Sequence, residues 1–200
     1  MPTPHAHGAG TVSDWIRRWS HLVRPGGQVL DLACGHGRHA RWFAARNHAV
    51  VAVDKVPEVL QSLSDLSATG QVRTVLADIE NGPWPLMDHG TPRRFDAVIV
   101  TNYLWRALLP TTVLSLASGG VLLYETFAHG NAEVGKPSRP DFLLQPGELL
   151  RICQGLRIVA FEDGFCEVPA RFVQRIAAVR EVAAGAADQP LASGAARYHL

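Results

Sequence analysis

The sequence is poor in several features that would restrict its function. Its 200 residues include only three cysteines, Cys34, Cys153 and Cys166, and none of them forms a CxxC pair. An odd number of separated thiols indicates a reducing compartment and gives no basis for a zinc site. No apolar run reaches the about 18 residues of a membrane span, and a secretion-signal pattern is missing, so we expect a cytoplasmic protein without a membrane segment.

Positively and negatively charged residues are nearly equal in number. Nineteen Lys and Arg residues against 18 Asp and Glu residues leave a net charge of +1, so no broad surface for nucleic acid or for an anionic membrane is expected. The apolar fraction of 47% is typical of a globular protein. The length fits one domain, expected over residues 11–182, with a flexible N-terminus over 1–10 and a flexible tail over 183–200.

Apolar runs and helical patterns alternate along this domain. Strands are predicted at 28–34, 49–54, 72–78, 95–102, 119–127, 156–164 and 171–180. Helical patterns separate the earlier strands, which are therefore expected to be parallel with right-handed crossovers. The connection 165–170 is too short for a helix, so the last two strands are expected to form an antiparallel hairpin.

The stretch "VLDLACGHGRHARWFAARNHAVVAVD", residues 29–54, carries the main motif. Gly35 and Gly37 lie where the first strand passes into a helix, and glycine permits both unusual backbone angles and the close approach of a ligand. Asp54 ends the second strand, where a carboxylate can accept hydrogen bonds from a ribose diol. A nicotinamide dinucleotide and S-adenosylmethionine both fit this pattern, and "GHGRHA" alone is a weak signal.

Three details favour S-adenosylmethionine. Asp31 lies inside the first strand, and a buried acid needs a partner that a cationic ligand supplies and a pyrophosphate does not. Asp78, at the end of the third strand, is placed to meet an adenine amino group. The closing antiparallel hairpin is foreign to the dinucleotide-binding fold.

Several of these motifs occur in order and carry a family resemblance. The segment "VLDLACGHGR", Asp54, "AD" at 77–78 and "FDAVIVTN" resemble class I S-adenosylmethionine-dependent methyltransferases. "NYLWR" and "YETFAHGNAEVGKPSRPDFLLQPGELL" resemble the small bacterial tellurite-resistance-type subgroup. The resemblance covers residues 11–181. It implies an α/β, Rossmann-like, seven-stranded and mostly parallel sheet with helices on both faces, a C-terminal antiparallel hairpin and the strand order 3-2-1-4-5-7-6.

The resemblance also implies S-adenosylmethionine as cofactor and assigns residues to its methionine part. Gly35 and Gly37 would flank this part. Asp31 would engage the ammonium group directly or through water, and Arg38 is placed to meet the carboxylate, unless it is only a solvated residue of the first helical turn. Asn102, at the tip of the fourth strand, would approach the methionine moiety or the transferable methyl.

The adenosine part is assigned in the same way. Asp54 would bind the ribose hydroxyls, and Lys55 would lie beside the adenine. Asp78 would bind the adenine amino group, with Ile79 against the ring. Trp15 or Trp19 would close over the cofactor or pack in the core.

No catalytic residue is assigned with certainty, and no metal ligand is expected. Tyr103, Glu125 and His129 lie at or just after strand tips and are candidates, although each is equally suited to shaping the pocket. A base is needed only when the acceptor carries a proton at neutral pH.

The sequence leaves the methyl acceptor and the oligomeric state open. Asn102 is followed by Tyr103 and Leu104, without the prolines found after the fourth strand of adenine-N6 and related amino methyltransferases. We favour a small-molecule acceptor over a protein or RNA. A nicotinamide-dependent oxidoreductase and a cofactor-binding protein without catalysis are the further alternatives.

The segment 129–145 is long for a connection in a compact domain. We expect it to fold over the carboxyl edge of the sheet as a lid, anchored by Phe142 and Leu143, because these side chains are costly to leave in water. Lys136 and Arg139 would then favour an anionic or electron-rich acceptor, or else lie solvated on the surface.

Overall fold

The computed structural model describes residues 10–182 and 197–200. The predicted flexible segments therefore lie outside the described residues, except for Gly10 and the last four. Those four lie against the domain, because Tyr198 packs on the core and the carbonyl of His199 lies 3.1 Å from Nε2 of His21. Within the described ranges, no helix has the length and apolar character to cross a membrane.

A seven-stranded sheet forms the centre of the domain. Its strands are β1 Gln28–Leu32, β2 Ala49–Asp54, β3 Val72–Leu76, β4 Phe95–Thr101, β5 Leu116–Phe127, β6 Arg157–Glu167 and β7 Ala170–Val179. They lie in the order 3-2-1-4-5-7-6, with β1 to β5 parallel and β7 antiparallel to both of its neighbours. The predicted fold class is confirmed. Only Val168 and Pro169 separate β6 from β7, so the hairpin turn is shorter than predicted.

Short helices cover both faces of the sheet. They are α1 Asp14–Trp19, α2 Arg38–Ala44, α3 Pro57–Gln61, α4 Ser64–Ala68, α5 Leu109–Leu114 and α6 Glu148–Ile152. Ser13 caps α1 by accepting a hydrogen bond from the amide of Trp15. Pro110 lies in the first turn of α5, where its missing N–H costs nothing.

The sheet buries one core cluster on each face, because successive strand residues point in opposite directions. Val29 and Ile99 pack on the face covered by α1 and α2, whereas Leu30 and Val98 pack on the face of α5 and α6. Trp15 and Trp19 belong to the first cluster, with 4% and 2% of their surface exposed. They therefore pack in the core and do not close over a ligand.

The chain order reverses between β1 and β4, which are neighbours in the sheet. In doubly wound sheets, ligands bind outside the carboxyl ends of the strands at this point. The turn after β1, the ends of β2 and β3, and the segment after β4 all meet at this edge. Most predicted site residues lie at or near these segments, whereas Glu125 lies in β5 and His129 follows it.

Candidate functional site

Asp54 fixes the backbone of the turn after β1. Its Oδ2 accepts a hydrogen bond from the amide of Gly35 at 2.8 Å, and its Oδ1 accepts one from the amide of Val56 at 3.0 Å. Gly35 has a φ of 54°, a conformation that favours glycine. The carboxylate therefore joins the ends of β1 and β2, and each oxygen keeps a lone pair for a ligand hydroxyl.

Gly37 makes room for a neighbouring side chain. A Cβ added there would lie 2.5 Å from the side chain of Leu63, and its φ is 73°. Leu63 lies between α3 and α4, which are separate helices. The absent side chain of Gly37 thus serves packing, and its contact with the cofactor stays a prediction.

Asp31 is a buried acid beneath the same turn. Its side chain is 1% exposed, and its Oδ2 accepts a hydrogen bond from the amide of Ala40 at 2.9 Å. Burial raises the pKa of Asp31 to about 8, although the Ala40 amide and the charge of Arg38 oppose the shift. A cationic ligand group beside this carboxyl would stabilise its ionised form.

A cavity of about 190 Å³, here called the Asp54 cavity, opens beside the ends of β2 and β3. It is lined by Ala33, Asp54, Lys55, Ala77, Ile79, Glu80 and Tyr103. Three of the predicted residues, Asp54, Lys55 and Ile79, thus meet in one place. Lys55 pairs with Glu80 at 3.2 Å, and Glu80 is a lining residue that sequence reasoning missed.

Asp78, predicted to bind the adenine amino group, does not line this cavity. Its Oδ1 accepts hydrogen bonds from the amides of Glu80 and Asn81, and its Oδ2 accepts one from Nδ2 of Asn81. The side chain of Asn81, followed by the amide of Glu80, lowers the pKa of Asp78. Asp78 is therefore an exposed acid that stabilises the turn following it, because β3 ends at Leu76 and the turn begins at Ile79.

A second cavity, here called the arginine cavity, lies between the N-terminal segment and the β6–β7 turn. Its volume is about 410 Å³, and it is lined by Thr11, Val12, Ser13, Asp14, Arg38, Asn102, Glu125, Cys166, Val168, Pro169, Arg171 and Arg175. The predicted residues Arg38, Asn102 and Glu125 meet here. Asn102 has a φ of 53°, a strained conformation that places it at the bend directly after β4.

Both carboxylate oxygens of Glu125 contact other residues of the arginine cavity. It is 1% exposed, its Oε2 lies 2.6 Å from Nε of Arg175, and its Oε1 accepts a hydrogen bond from Oγ of Ser13 at 3.0 Å. Arg175 also pairs with Glu162 at 3.0 Å. Glu125 therefore holds Arg175 and the N-terminal segment in place.

His39 also contacts Ser13, the residue that donates to Glu125. Its Nε2 accepts a hydrogen bond from the amide of Ser13 at 3.3 Å, and its Nδ1 lies 3.5 Å from the hydroxyl of Thr101. Burial, with a contribution from the charge of Arg38, lowers the pKa of His39 to about 3. The imidazole is thus neutral at physiological pH and positions Ser13.

A third cavity, here called the loop cavity, lies under the segment 129–145. Its volume is about 380 Å³, and it is lined by Glu80, Asn102, Tyr103, Leu104, Thr126, Phe127, Lys136, Pro137 and Phe142. Leu143 and Leu144 are 4% and 0% exposed and anchor the segment, whereas Phe142 is 37% exposed and lines the cavity. The anchors are thus Leu143 and Leu144, and Phe142 was wrongly assigned to this role.

The other two catalytic candidates lie in different surroundings. Tyr103 lines both the Asp54 cavity and the loop cavity. Burial, with the charge of Glu80, raises the pKa of Tyr103, so its phenol stays protonated and cannot act as a base. His129 is exposed and lines none of the three cavities; its amide donates to the carbonyl of Leu144.

Sequence reasoning missed the arginines of β7. Arg171 and Arg175 are four residues apart and therefore point to the same face of the strand. That spacing was a usable signal, but the face itself depends on the register between β7 and β5, in which Arg175 lies opposite Glu125.

The fold is Rossmann-like, and the groups at the carboxyl edge of its sheet can be compared with what S-adenosylmethionine requires. Asp54 and Ile79 offer a diol acceptor and an apolar wall for adenosine, and Asp31 offers a buried acid for a cationic group. The methyltransferase-domain family model matches residues 29–120. This match supports the predicted class, a class I S-adenosylmethionine-dependent methyltransferase, and S-adenosylmethionine as its cofactor.

Known proteins similar to this chain differ in their acceptors. The malonyl-[acyl-carrier protein] O-methyltransferase of Serratia marcescens is 32% identical over 113 residues, which cover 54% of this chain and 42% of that relative. TehB from Haemophilus influenzae has a TM-score of 0.67 at 17% identity, over 85% of this chain and 63% of TehB. The glycopeptide N-methyltransferase MtfA complexed with S-adenosylmethionine has a TM-score of 0.57 at 20% identity, over 90% and 99%. This chain thus spans less than half the length of the curated relative.

Proposed function

We propose that this protein transfers the methyl group of S-adenosylmethionine to a small-molecule acceptor at the bend after β4. The observation that carries the proposal is the grouping of Asp54, Lys55 and Ile79 around one cavity beside the buried Asp31. A reducing, cytosolic setting is part of the proposal, supported by Cys34 and Cys153 lying in core clusters on opposite faces of the sheet.

The described residues give this chain a positioning role in the reaction. When bound, S-adenosylmethionine supplies a methyl group on a sulfonium, whose positive charge is lost as the methyl leaves. Asp54 would hold the ribose, Asp31 the ammonium group and Arg38 the carboxylate, while Asn102 borders the two cavities on either side of the reacting position. Fixing the acceptor and the methyl in line accounts for much of the catalysis.

The three catalytic candidates favour an acceptor that reacts without a protein base. Tyr103 stays protonated, Glu125 is paired with Arg175, and His129 lies outside the cavities. Thiolates, carboxylates and oxyanions are already deprotonated at neutral pH and need no base. This observation supports small anionic acceptors over the hydroxyl and amide groups of proteins and RNA.

Cofactor binding and transfer test the proposal separately. Isothermal titration calorimetry is expected to show binding of S-adenosylhomocysteine and none of NAD. A screen with labelled S-adenosylmethionine across tellurite, selenite, thiols, quinols, carboxylic acids and cell RNA is expected to label a small anion. Heat from NAD with none from S-adenosylhomocysteine would favour the oxidoreductase, and labelling of RNA alone would contradict the small-molecule acceptor.

A further inference from the structure

Two cavities of different character meet at Asn102. The arginine cavity lies on the sheet face of α1 and α2, because its strand residues Glu125 and Arg175 share the orientation of the core residues on that face. The loop cavity lies beside the opposite core cluster, against which Tyr103 packs. Asn102 lines both, so a single ligand can extend from one cavity into the other past the bend after β4.

The arginine cavity carries uncompensated positive charge. Arg175 is neutralised by Glu125 and Glu162. Among the described residues, Arg38 and Arg171 form no ion pair, and Asp14 pairs with Arg17 at the surface. Among the same described residues, no hydrogen-bond partner is present for the Nε of Arg171, which is buried. A buried guanidinium nitrogen left unpaired is costly, and an anionic ligand would supply the missing acceptor.

The two guanidinium groups lie close enough to repel each other. Burial lowers the pKa of Arg38, and the charge of Arg171 contributes to the same direction, against the attraction of Glu125 and Asp31. Arg38 directly follows the turn after β1, and its Nη1 donates to the carbonyl of Thr11 at 3.3 Å. Arg38 is thus the residue placed for the cofactor carboxylate, and Arg171, on the hairpin, remains for a second anion.

The loop cavity lacks this charge pattern. Its walls are mostly apolar, with Leu104, Phe127, Pro137 and Phe142, and its two charged lining residues are Glu80, which pairs with Lys55, and Lys136. Phe142 is 37% exposed although both residues after it are buried. A partly exposed aromatic ring on the wall of an apolar cavity favours an apolar ligand body.

From this juxtaposition we infer that the acceptor is an organic anion with an apolar body, its anionic group held by Arg171 and its body in the loop cavity. The inference rests on the proposed function for the reaction that this ligand undergoes. The inference excludes two classes of acceptor. Inorganic oxyanions would fill the arginine cavity alone, and uncharged apolar molecules would fill the loop cavity alone.

A matched set of probes tests the inference on the full chain saturated with S-adenosylhomocysteine. Octanoate carries both an anion and an apolar body, 1-octanol only the body, and acetate only the anion. Ligand-observed NMR titrations are expected to give octanoate a dissociation constant about tenfold below either partial probe, as one charge-assisted contact predicts. Equal affinities for octanoate and octanol, or for octanoate and acetate, would overturn the inference.

Two variants test which residue contacts each end of octanoate. Arg171→Gln is expected to lower the affinity for octanoate to that for octanol and to leave the affinity for S-adenosylhomocysteine unchanged. Arg94→Gln, an exposed arginine that lines none of the three cavities, is the matched control. Phe142→Ser is expected to weaken octanoate without changing acetate, with Leu114→Ser, another partly exposed apolar residue, as its control. Unchanged octanoate binding in both site variants would overturn the assignment, whereas the wild-type comparison stands even where a variant fails to fold.

Failure of the proposed function gives a different result. A protein that does not bind S-adenosylhomocysteine contradicts the methyltransferase proposal, and octanoate binding is then measured without cofactor. Tellurite or inorganic phosphate binding as tightly as octanoate, in a protein that does bind S-adenosylhomocysteine, contradicts only the inference about the acceptor.

Discussion

The cofactor half and the acceptor half of the site are built in different ways. In the cofactor half, at the ends of β1 to β3, Asp54 is fixed by the amides of Gly35 and Val56, which lie in the connections around it. In the acceptor half, Ser13 contacts Glu125 from the far N-terminal part of the domain, and Arg175 comes from the last strand. Backbone amides of neighbouring connections thus fix the proposed cofactor half, whereas the proposed acceptor half depends on segments that only the complete fold brings together.

The largest expected effect is a loss of methyl transfer with no loss of cofactor affinity. Replacing residues 132–139 by a short Gly-Ser linker removes Lys136 and Pro137 from the loop cavity but keeps the buried anchors Asn131, Leu143 and Leu144. We expect methyl transfer to be lost, because the lid no longer encloses the acceptor, and the affinity for S-adenosylhomocysteine to be nearly unchanged. Radiolabel transfer and calorimetry on the same preparation measure both. Transfer at the full rate would show that the segment is only a surface loop.

Asp54→Ala is expected to affect the cofactor half next most strongly. The substitution removes a carboxylate that would accept ribose hydroxyls and that also holds the turn at Gly35. A charge-assisted hydrogen bond contributes about 1.5–3 kcal/mol, so calorimetry should show at least about a tenfold loss of affinity. Glu58→Ala, which removes an exposed acid of the adjacent α3, is the control. An unchanged dissociation constant would place the ribose elsewhere.

Asp31 is expected to make cofactor binding depend on pH. Its pKa of about 8 in the folded state, against 3.8 as the ordinary value, means that the folded protein binds the extra proton between these values. Stability of the cofactor-free protein through this group therefore falls as the pH rises toward about 8. Affinity for a cationic ligand should rise over the same interval, because ionised Asp31 is the form that attracts it.

Asp31→Asn tests this linkage between pH 6.5 and about 8. His39 does not interfere there, because its lowered pKa makes its contribution rise with pH only up to its ordinary value of 6.5. The variant keeps an oxygen for the amide of Ala40, so its melting temperature should no longer fall over this interval, and its cofactor affinity should be lower and independent of pH. Parallel pH profiles in wild type and variant would contradict the role of Asp31.

The smallest expected effect concerns Ser13, which connects α1 to the acceptor half. Ser13→Ala removes the cap of α1 and the hydrogen bond to Glu125. Loss of an N-cap costs about 1 kcal/mol, so thermal unfolding should show a modest decrease in stability, and calorimetry should show unchanged cofactor affinity. Ser20→Ala, whose exposed hydroxyl donates to the carbonyl of Arg17, is the control. A loss of cofactor affinity larger than the loss of stability would mean that the two halves are coupled.

The sequence by itself determined the alternation of strands and helices, the strand order through the family resemblance, and the positions of Asp54, Lys55 and Ile79 at the ends of β2 and β3. These features depend on short-range patterns: apolar strands, a glycine turn after β1, and polar residues at strand ends. The sequence did not indicate that the carboxylate of Asp78, two residues beyond the end of β3, accepts hydrogen bonds from Glu80 and Asn81 in the turn that follows.

Only the tertiary structure decided which charges face one another in the acceptor half. Arg175 meets Glu125 because β7 runs antiparallel to β5 in one particular register, and Arg171 faces the cavity because two residues in the hairpin turn set its side of the strand. Leu63 fills the space beside Gly37 because α3 and α4 are separate helices. Such contacts join residues far apart in the chain, and a shift of one residue in the register would turn Arg171 and Arg175 to the other face of the sheet.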